Sequence, residues 1–130
     1  MPRSLLFLAL STTLAATSPA AQEAQGVVVR GMGALGCETL VEALEGEQSN
    51  DAAARLVAWL AGYVSHANRA DPEVADVLPY ASSDGLATVV ARVCASNRDA
   101  QVAAVTASVL ATLAPLAVTR AEEAVDLSRG

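Results

Sequence analysis

The chain has 130 residues, a formal net charge of −6 at pH 7 and a mean hydropathy of +0.39. This length is that of one domain and is too short for a two-domain enzyme, and 53% apolar against 17% charged residues excludes a disordered polar chain. The balance of 8 basic residues, all arginine, against 14 acidic ones argues against binding to nucleic acid or to an anionic membrane surface, because both need a basic face.

Residues 1–20 have the order of segments found in a secretory signal. A positive start at Arg3 is followed by twelve mostly apolar residues, 5–16, and then by small residues up to Ala20. The apolar stretch is too short to span a bilayer permanently. We therefore expect a signal peptide over 1–20, cleaved after Ala20 or, as alternatives, after Ala21 or Ala24. The mature chain is predicted to be periplasmic, with no membrane segment.

Export changes the chemistry expected of the two cysteines, Cys37 and Cys94. A lone pair in an oxidising compartment is expected to form one disulfide. A metal site or redox site is the weaker interpretation, because the chain has no Cys-x-x-Cys and its single histidine, His66, is distant in sequence from both cysteines. The bridge would close a loop of nearly sixty residues, worth about 4 kcal/mol of loop-closure entropy. The sequence thus predicts a Cys37–Cys94 disulfide, no metal and no cofactor.

A glycine-rich segment, residues 21–36, follows the predicted signal peptide, and we call it the lead-in. Its composition predicts a flexible, irregular or weakly extended segment, because glycine weakens both helix and strand. Its apolar residues are candidate contacts with a partner protein, and the alternative is an inert linker. They are Val27, Val28, Val29, Met32 and Leu35.

Four helices are predicted after the lead-in, because apolar residues recur there at helical spacing. They run from Cys37 to Leu44, from Ala52 to about Asn68, from a Ser82–Asp84 cap to about Ser96, and from an Asp99 cap to Pro115. Residues 70–84 are predicted to be a polar connection. The fold class is therefore all-α, a small helical bundle of about four helices stapled by one disulfide, with a helical domain at 37–119 and a polar tail at 120–130.

The last two helices are each predicted to turn one apolar stripe inward. In the third helix the stripe contains Leu86, Val89, Val90, Val93 and Cys94, and in the fourth it contains Val102, Val105, Val109, Leu110, Leu113 and Leu116. Residues 100–119 carry no charge, yet they are rich in alanine, and Thr106, Ser108 and Thr112 interrupt them. A buried amphipathic helix is therefore predicted, with a transmembrane helix as the alternative.

Catalytic constellations are not apparent in the sequence, which predicts that the chain is not an enzyme. Ser65 and His66 are adjacent, so on a helix they point about 100° apart and cannot form a nucleophile–base pair. We expect His66 to face solvent. Trp59 and Tyr63 lie four residues apart on one face of the second predicted helix. They are predicted to be core aromatics, and the alternative is a partner-contact surface, where Trp and Tyr are favoured.

Three segments together resemble the HdeA/HdeB family of periplasmic acid-stress chaperones. They are Gly-Cys-Glu-Thr-Leu at 36–40, Ala-Trp-Leu-Ala-Gly-Tyr-Val-Ser at 58–65 and Val-Cys-Ala-Ser-Asn at 93–97, followed by an alanine-rich last helix. The resemblance covers about residues 36–113. Arg98 stands where relatives usually carry proline, and the lysine-rich ends of the best-known members are absent.

This resemblance implies a helical protein, dimeric at neutral pH, that loosens in acid and holds unfolding periplasmic proteins without ATP. The composition is compatible with such a response. The predicted mature chain has seven arginines against fourteen acidic residues, a net charge of −7. Near pH 2 its carboxyl groups would be neutral, and the seven arginines, the histidine and the N-terminus would leave about +9. The alternatives are an exported immunity or inhibitor-type binding protein and a structural protein of the cell envelope.

Overall fold

The computed structural model describes residues 28–122, so the predicted signal peptide, Val27 and residues 123–130 of the predicted tail lie outside the described residues. Within this part the chain forms four α-helices, which are α1 (Cys37–Glu45), α2 (Ser49–Ala70), α3 (Ser83–Ser96) and α4 (Val102–Leu113). Short 3-10 turns occupy Gly31–Ala34 and Ala114–Leu116, and the strands are β1 (Val74–Asp76) and β2 (Val118–Thr119). The predicted all-α bundle is confirmed.

The start of α1 is capped by backbone rather than by a side chain. Gly36 precedes the helix and offers no side-chain acceptor. The N–H of Cys37 donates to the Ala100 carbonyl at 2.8 Å, and the N–H of Glu38 donates to the Arg98 carbonyl at 3.1 Å. These bonds satisfy two of the N–H groups that a helix start leaves unpaired. The turn between α3 and α4 therefore fixes where α1 begins.

The core lies where the inner faces of the four helices meet. Its fully buried apolar side chains are Leu40, Leu56, Leu60, Leu86, Val90 and Val102. The Cys37–Cys94 disulfide is also completely buried, with Cα atoms 4.8 Å apart. It joins the start of α1 to the last turn of α3, as the sequence predicted. The bridge therefore staples the centre of the bundle and not its edge.

Three details of the predicted helix faces are wrong. Asp99 does not cap α4, which starts at Val102 after Gln101 with no side-chain cap. Val89 is 44% exposed, because the buried face of α3 passes through its neighbour Val90 instead. Leu116 is 54% exposed, because α4 ends at Leu113 and the chain changes direction at the Ala114–Leu116 turn around a proline.

Thr106 is buried in the described core, although it was expected to interrupt the apolar stripe of α4. Its hydroxyl donates to the Val102 carbonyl at 2.9 Å, so the polar group has a partner and its methyl group can pack. No helix in the part of the chain that the structure describes combines the length and the apolar character that a membrane span needs.

The connection between α2 and α3 contains a strand that the sequence analysis missed. β1 pairs antiparallel with β2, joining Val74 to Thr119 and Asp76 to Val118. Asn68, near the end of α2, accepts a hydrogen bond from the N–H of Val77 at 2.8 Å. The C-terminal end of the described chain is therefore tied back to the end of α2.

The predicted cap of the third helix is confirmed, because the Ser82 hydroxyl accepts from the N–H of Gly85 at 3.2 Å.

Candidate functional site

The lead-in packs against the helices, and the prediction of an irregular or weakly extended segment is wrong for Gly31–Ala34, whereas Leu35 and Gly36 are extended. Gly31–Ala34 forms a 3-10 turn, and Gly33 in that turn is buried. The side chains of Met32 and Leu35 are half-buried and pack against the core cluster. Of the other candidate contacts, Val28 is exposed, Val29 is half-buried and Val27 lies outside the described residues. Apolar packing thus overrides the low intrinsic order of a glycine-rich segment.

Trp59 of α2 holds this turn by packing directly on its glycines. A Cβ atom at Gly33 would lie 2.6 Å from Cε2 and 2.7 Å from Cη2 of the indole, and closer still to Cζ2. Only a residue without a side chain fits there unless the ring moves. Gly31 has a φ of +65°, a conformation that favours glycine, and a Cβ there would lie 3.4 Å from Cδ1 of the same ring. We call the contact of Trp59 with Gly31 and Gly33 the indole clasp.

A hydrogen bond and a second aromatic ring complete the clasp. The indole Nε1–H donates to the Arg30 carbonyl at 3.1 Å. The Tyr63 ring lies one helical turn further along α2, with its centroid 5.3 Å from that of Trp59 and the two planes 46° apart. Both aromatic residues are half-buried. Trp59 therefore packs against the outside of the core and fastens the lead-in to it. The interpretation of this face as a partner contact stays a prediction.

A second attachment lies at the base of the lead-in, next to the disulfide. The Leu35 carbonyl accepts from the N–H of Val102 at 3.0 Å, and Gly36 forms an isolated antiparallel bridge with Gln101. The side chains of Glu38 and Arg98 form an ion pair at 3.1 Å across the same junction. Beyond this point the chain is anchored covalently through Cys37. The 28–34 portion, by contrast, is held by the clasp and by half-buried apolar contacts.

A concavity of about 520 Å³ opens beside the lead-in, where α1 ends and α2 begins. It lies between the lead-in, the α1–α2 turn and the first two turns of α2. Its apolar lining comes from Met32, Leu35, Ala43 and Ala52, and its polar lining comes from Glu47, Gln48, Asp51 and Arg55. This concavity could not be predicted from the sequence, because its apolar residues come from three separate segments and share no helical or strand periodicity.

Most titratable side chains of the described residues are exposed, and Asp76 is half-buried with its carboxylate accepting from the N–H of Leu78 at 2.9 Å. His66 is exposed on α2, as expected. Among residues 28–122 no group of three or more His, Cys, Asp or Glu side chains is placed to hold a metal ion. The pKa of Glu122 is lowered because its carboxylate accepts hydrogen bonds from the N–H and then from the hydroxyl of Thr119. This reciprocal pair is a capping box that starts a helical turn at the end of the described chain.

Comparisons with known proteins give no match to a family model, a curated protein or a solved structure. The functional conclusion therefore rests on the chain itself. The disulfide is compatible with an extracytoplasmic location, because such bonds persist in oxidising compartments. The clasp glycines were missed as functional candidates. The available signal was the Gly31-x-Gly33 spacing, but its partner Trp59 lies far along the chain.

Proposed function

We propose that the chain is an ATP-independent acid-stress chaperone of the periplasm, which binds unfolding proteins at low pH through apolar surface that the lead-in covers at neutral pH. The observation that carries this proposal is the indole clasp. It holds an apolar segment on the outside of the core through one hydrogen bond and half-buried side chains. Release of the segment would expose Met32, Leu35 and the Trp59 ring together.

The charge of the chain supports release in acid. At neutral pH the expected mature chain carries −7, and near pH 2 neutral carboxylates would leave about +9. Self-repulsion at that charge opposes the compact state. The carboxylates described by the structure are exposed except that of Asp76, which is half-buried and accepts a hydrogen bond from the N–H of Leu78 at 2.9 Å. The proposed acid response is therefore mainly a repulsion spread over the surface, with no fully buried carboxylate among residues 28–122 as its trigger.

The disulfide supports a limited opening rather than complete unfolding. Cys37 follows the lead-in directly, and its bond to Cys94 keeps α1 joined to α3 whatever the lead-in does. The Glu38–Arg98 ion pair at this junction is solvent-exposed and contributes little to stability. Repulsion in acid would thus act on the lead-in while the covalent bond preserves the centre of the bundle. Apolar surface then becomes available on a chain that stays compact.

The test is an aggregation assay with an unrelated periplasmic client, run at pH 2 to 3 and again at pH 7. We expect suppression of client aggregation in acid and little effect at neutral pH. Sedimentation at both pH values would test the homodimer that the family resemblance implies at neutral pH. Dye binding should report newly exposed apolar surface between about pH 4 and pH 2. A protein that neither loosens nor protects a client in acid would exclude this function.

A further inference from the structure

The concavity at the α1–α2 corner is lined by two kinds of side chain. Met32, Leu35 and Ala43 are half-buried and Ala52 is buried, and we call these apolar residues the floor, whereas the charged and polar lining residues are exposed and form what we call the mouth. Its volume of about 520 Å³ is large enough for a long side chain together with a neighbouring apolar one. A segment of a partner protein that is not fully extended could therefore place two adjacent side chains in it.

The electrostatics at this corner are unfavourable for the chain alone. The last turn of α1 contains Glu42 and Glu45 and no basic residue, and Glu47 follows directly. Helix ends of this polarity favour cations and disfavour acidic side chains. Within residues 28–122 the side-chain carboxylates of these three glutamates have no ion-pair or hydrogen-bond partner. A cation from outside would relieve this repulsion.

Among the described residues, the one cation in the lining of the concavity is already paired. Arg55 binds Asp51 at 2.8 Å, one helical turn apart on α2, and both side chains are well exposed. Their charges compensate each other, so Glu47 and the carbonyl end of α1 leave the mouth of the concavity net negative. The charge complementarity at this site is therefore with a positively charged group.

We propose that this concavity binds an arginine or lysine side chain flanked by apolar residues in a partner protein. The methylene groups of the cationic side chain and a neighbouring apolar side chain cover the floor at Met32 and Leu35, and the charged head lies near Glu47. Long basic side chains are suited to such a site, because they bury their stems while the charge stays at the mouth. This interaction is made by the folded protein at neutral pH and does not depend on the proposed acid response.

The probe is an acetylated and amidated pentapeptide, Gly-Leu-Arg-Leu-Gly, added to the isotope-labelled, disulfide-intact protein at pH 7 and low salt. We expect amide NMR shifts to change at Met32, Ala43, Glu47 and Ala52. Two control peptides separate the contribution of the charge from that of the apolar side chains. In one, glutamine replaces arginine, and in the other, serine replaces both leucines. The dissociation constant of each control should be at least about three times that of the probe. Equal binding of all three peptides, or shifts elsewhere on the protein, would overturn the proposal.

Charge variants of the protein provide matched controls. Glu47→Gln should weaken binding of the probe about two- to fivefold, and Arg55→Gln should strengthen it by a similar factor. Glu73→Gln and Arg69→Gln change the net charge by the same amounts as Glu47→Gln and Arg55→Gln. Arg69 lies about 20 Å further along α2 than Arg55, and Glu73 lies beyond the end of that helix, so both control variants should leave binding unchanged. If Glu73→Gln changes the affinity for the probe as much as Glu47→Gln does, and Arg69→Gln as much as Arg55→Gln does, the attraction is a general effect of net charge and the proposed site is wrong.

Discussion

The disulfide centre and the indole clasp secure neighbouring parts of the chain by very different means. The centre combines the fully buried Cys37–Cys94 bond with a surrounding layer of buried leucine and valine side chains. The clasp uses one half-buried ring, one hydrogen bond and the close approach of two glycines. Regions with fewer buried contacts open at lower free energy than the global unfolding transition. The comparison indicates that the lead-in can detach while the stapled helices remain together.

The largest loss of stability is expected from removing the staple. Cys37→Ser or Cys94→Ser should lower the free energy of unfolding by about 2–5 kcal/mol, because the unfolded chain loses a constraint across a long loop. Denaturant titrations of the oxidised wild type and of each variant would measure the loss. The native protein should also contain no alkylatable thiol. A variant as stable as the wild type would show that packing alone secures the centre.

Removing the clasp should lower the free energy of unfolding less than removing the disulfide does. We expect Trp59→Ala to lower the free energy of unfolding by about 2–3 kcal/mol, below the usual range for a fully buried ring because this ring is half-buried. Trp59→Phe keeps an aromatic ring but loses the hydrogen bond to the Arg30 carbonyl, and it should cost about 1 kcal/mol. Chemical denaturation checks both values. If Trp59→Ala lowers the free energy of unfolding by less than about 1 kcal/mol, Trp59 does not hold the lead-in on the helices.

A single methyl group added at Gly33, but not one added at Gly62, should disturb the clasp. In Gly33→Ala the added Cβ meets the Trp59 ring, so we expect a loss of about 1–3 kcal/mol or detachment of the lead-in. Gly62→Ala is the matched control, because open space surrounds that position in the middle of α2 and alanine favours helix by about 1 kcal/mol. Fluorescence of Trp59, the only tryptophan in the chain, should shift to the red in Gly33→Ala alone. Identical spectra for both variants would contradict the packing described here.

The smallest expected effect concerns the far end of the described chain. The hydrogen bonds from Thr119 hold the pKa of Glu122 below its ordinary value. Its contribution to stability is therefore present above the unfolded pKa and is lost as the pH falls through the folded one. An NMR titration should give a lowered midpoint for the Glu122 carboxyl. Thr119→Ala removes the hydroxyl donor but keeps the N–H donor, so it should return the midpoint only part of the way toward the ordinary value. A wild-type midpoint at the ordinary value, or a complete return in that variant, would contradict the N–H as the larger cause.

Helix periodicity and cysteine chemistry were sufficient to predict the centre of this molecule. The stripe through Leu56 and Leu60 and the pairing of Cys37 with Cys94 follow from local spacing and from the expected compartment. The clasp could not be predicted in this way, because Gly33 and Trp59 are distant in sequence and their fit depends on shape. The β1–β2 pairing was missed for a related reason. Strands of two or three residues are too short to show alternation.

The central claim is that the lead-in covers surface that binds unfolding proteins, and Gly33→Ala tests it most directly. Aggregation of an unrelated client would be measured at pH 7 with the wild type, Gly33→Ala and Gly62→Ala, each with its disulfide intact. We predict that Gly33→Ala suppresses aggregation at neutral pH, while the other two do little until the pH is lowered. A Gly33→Ala protein whose Trp59 fluorescence reports a detached lead-in, yet which protects no client at pH 7, would contradict the claim.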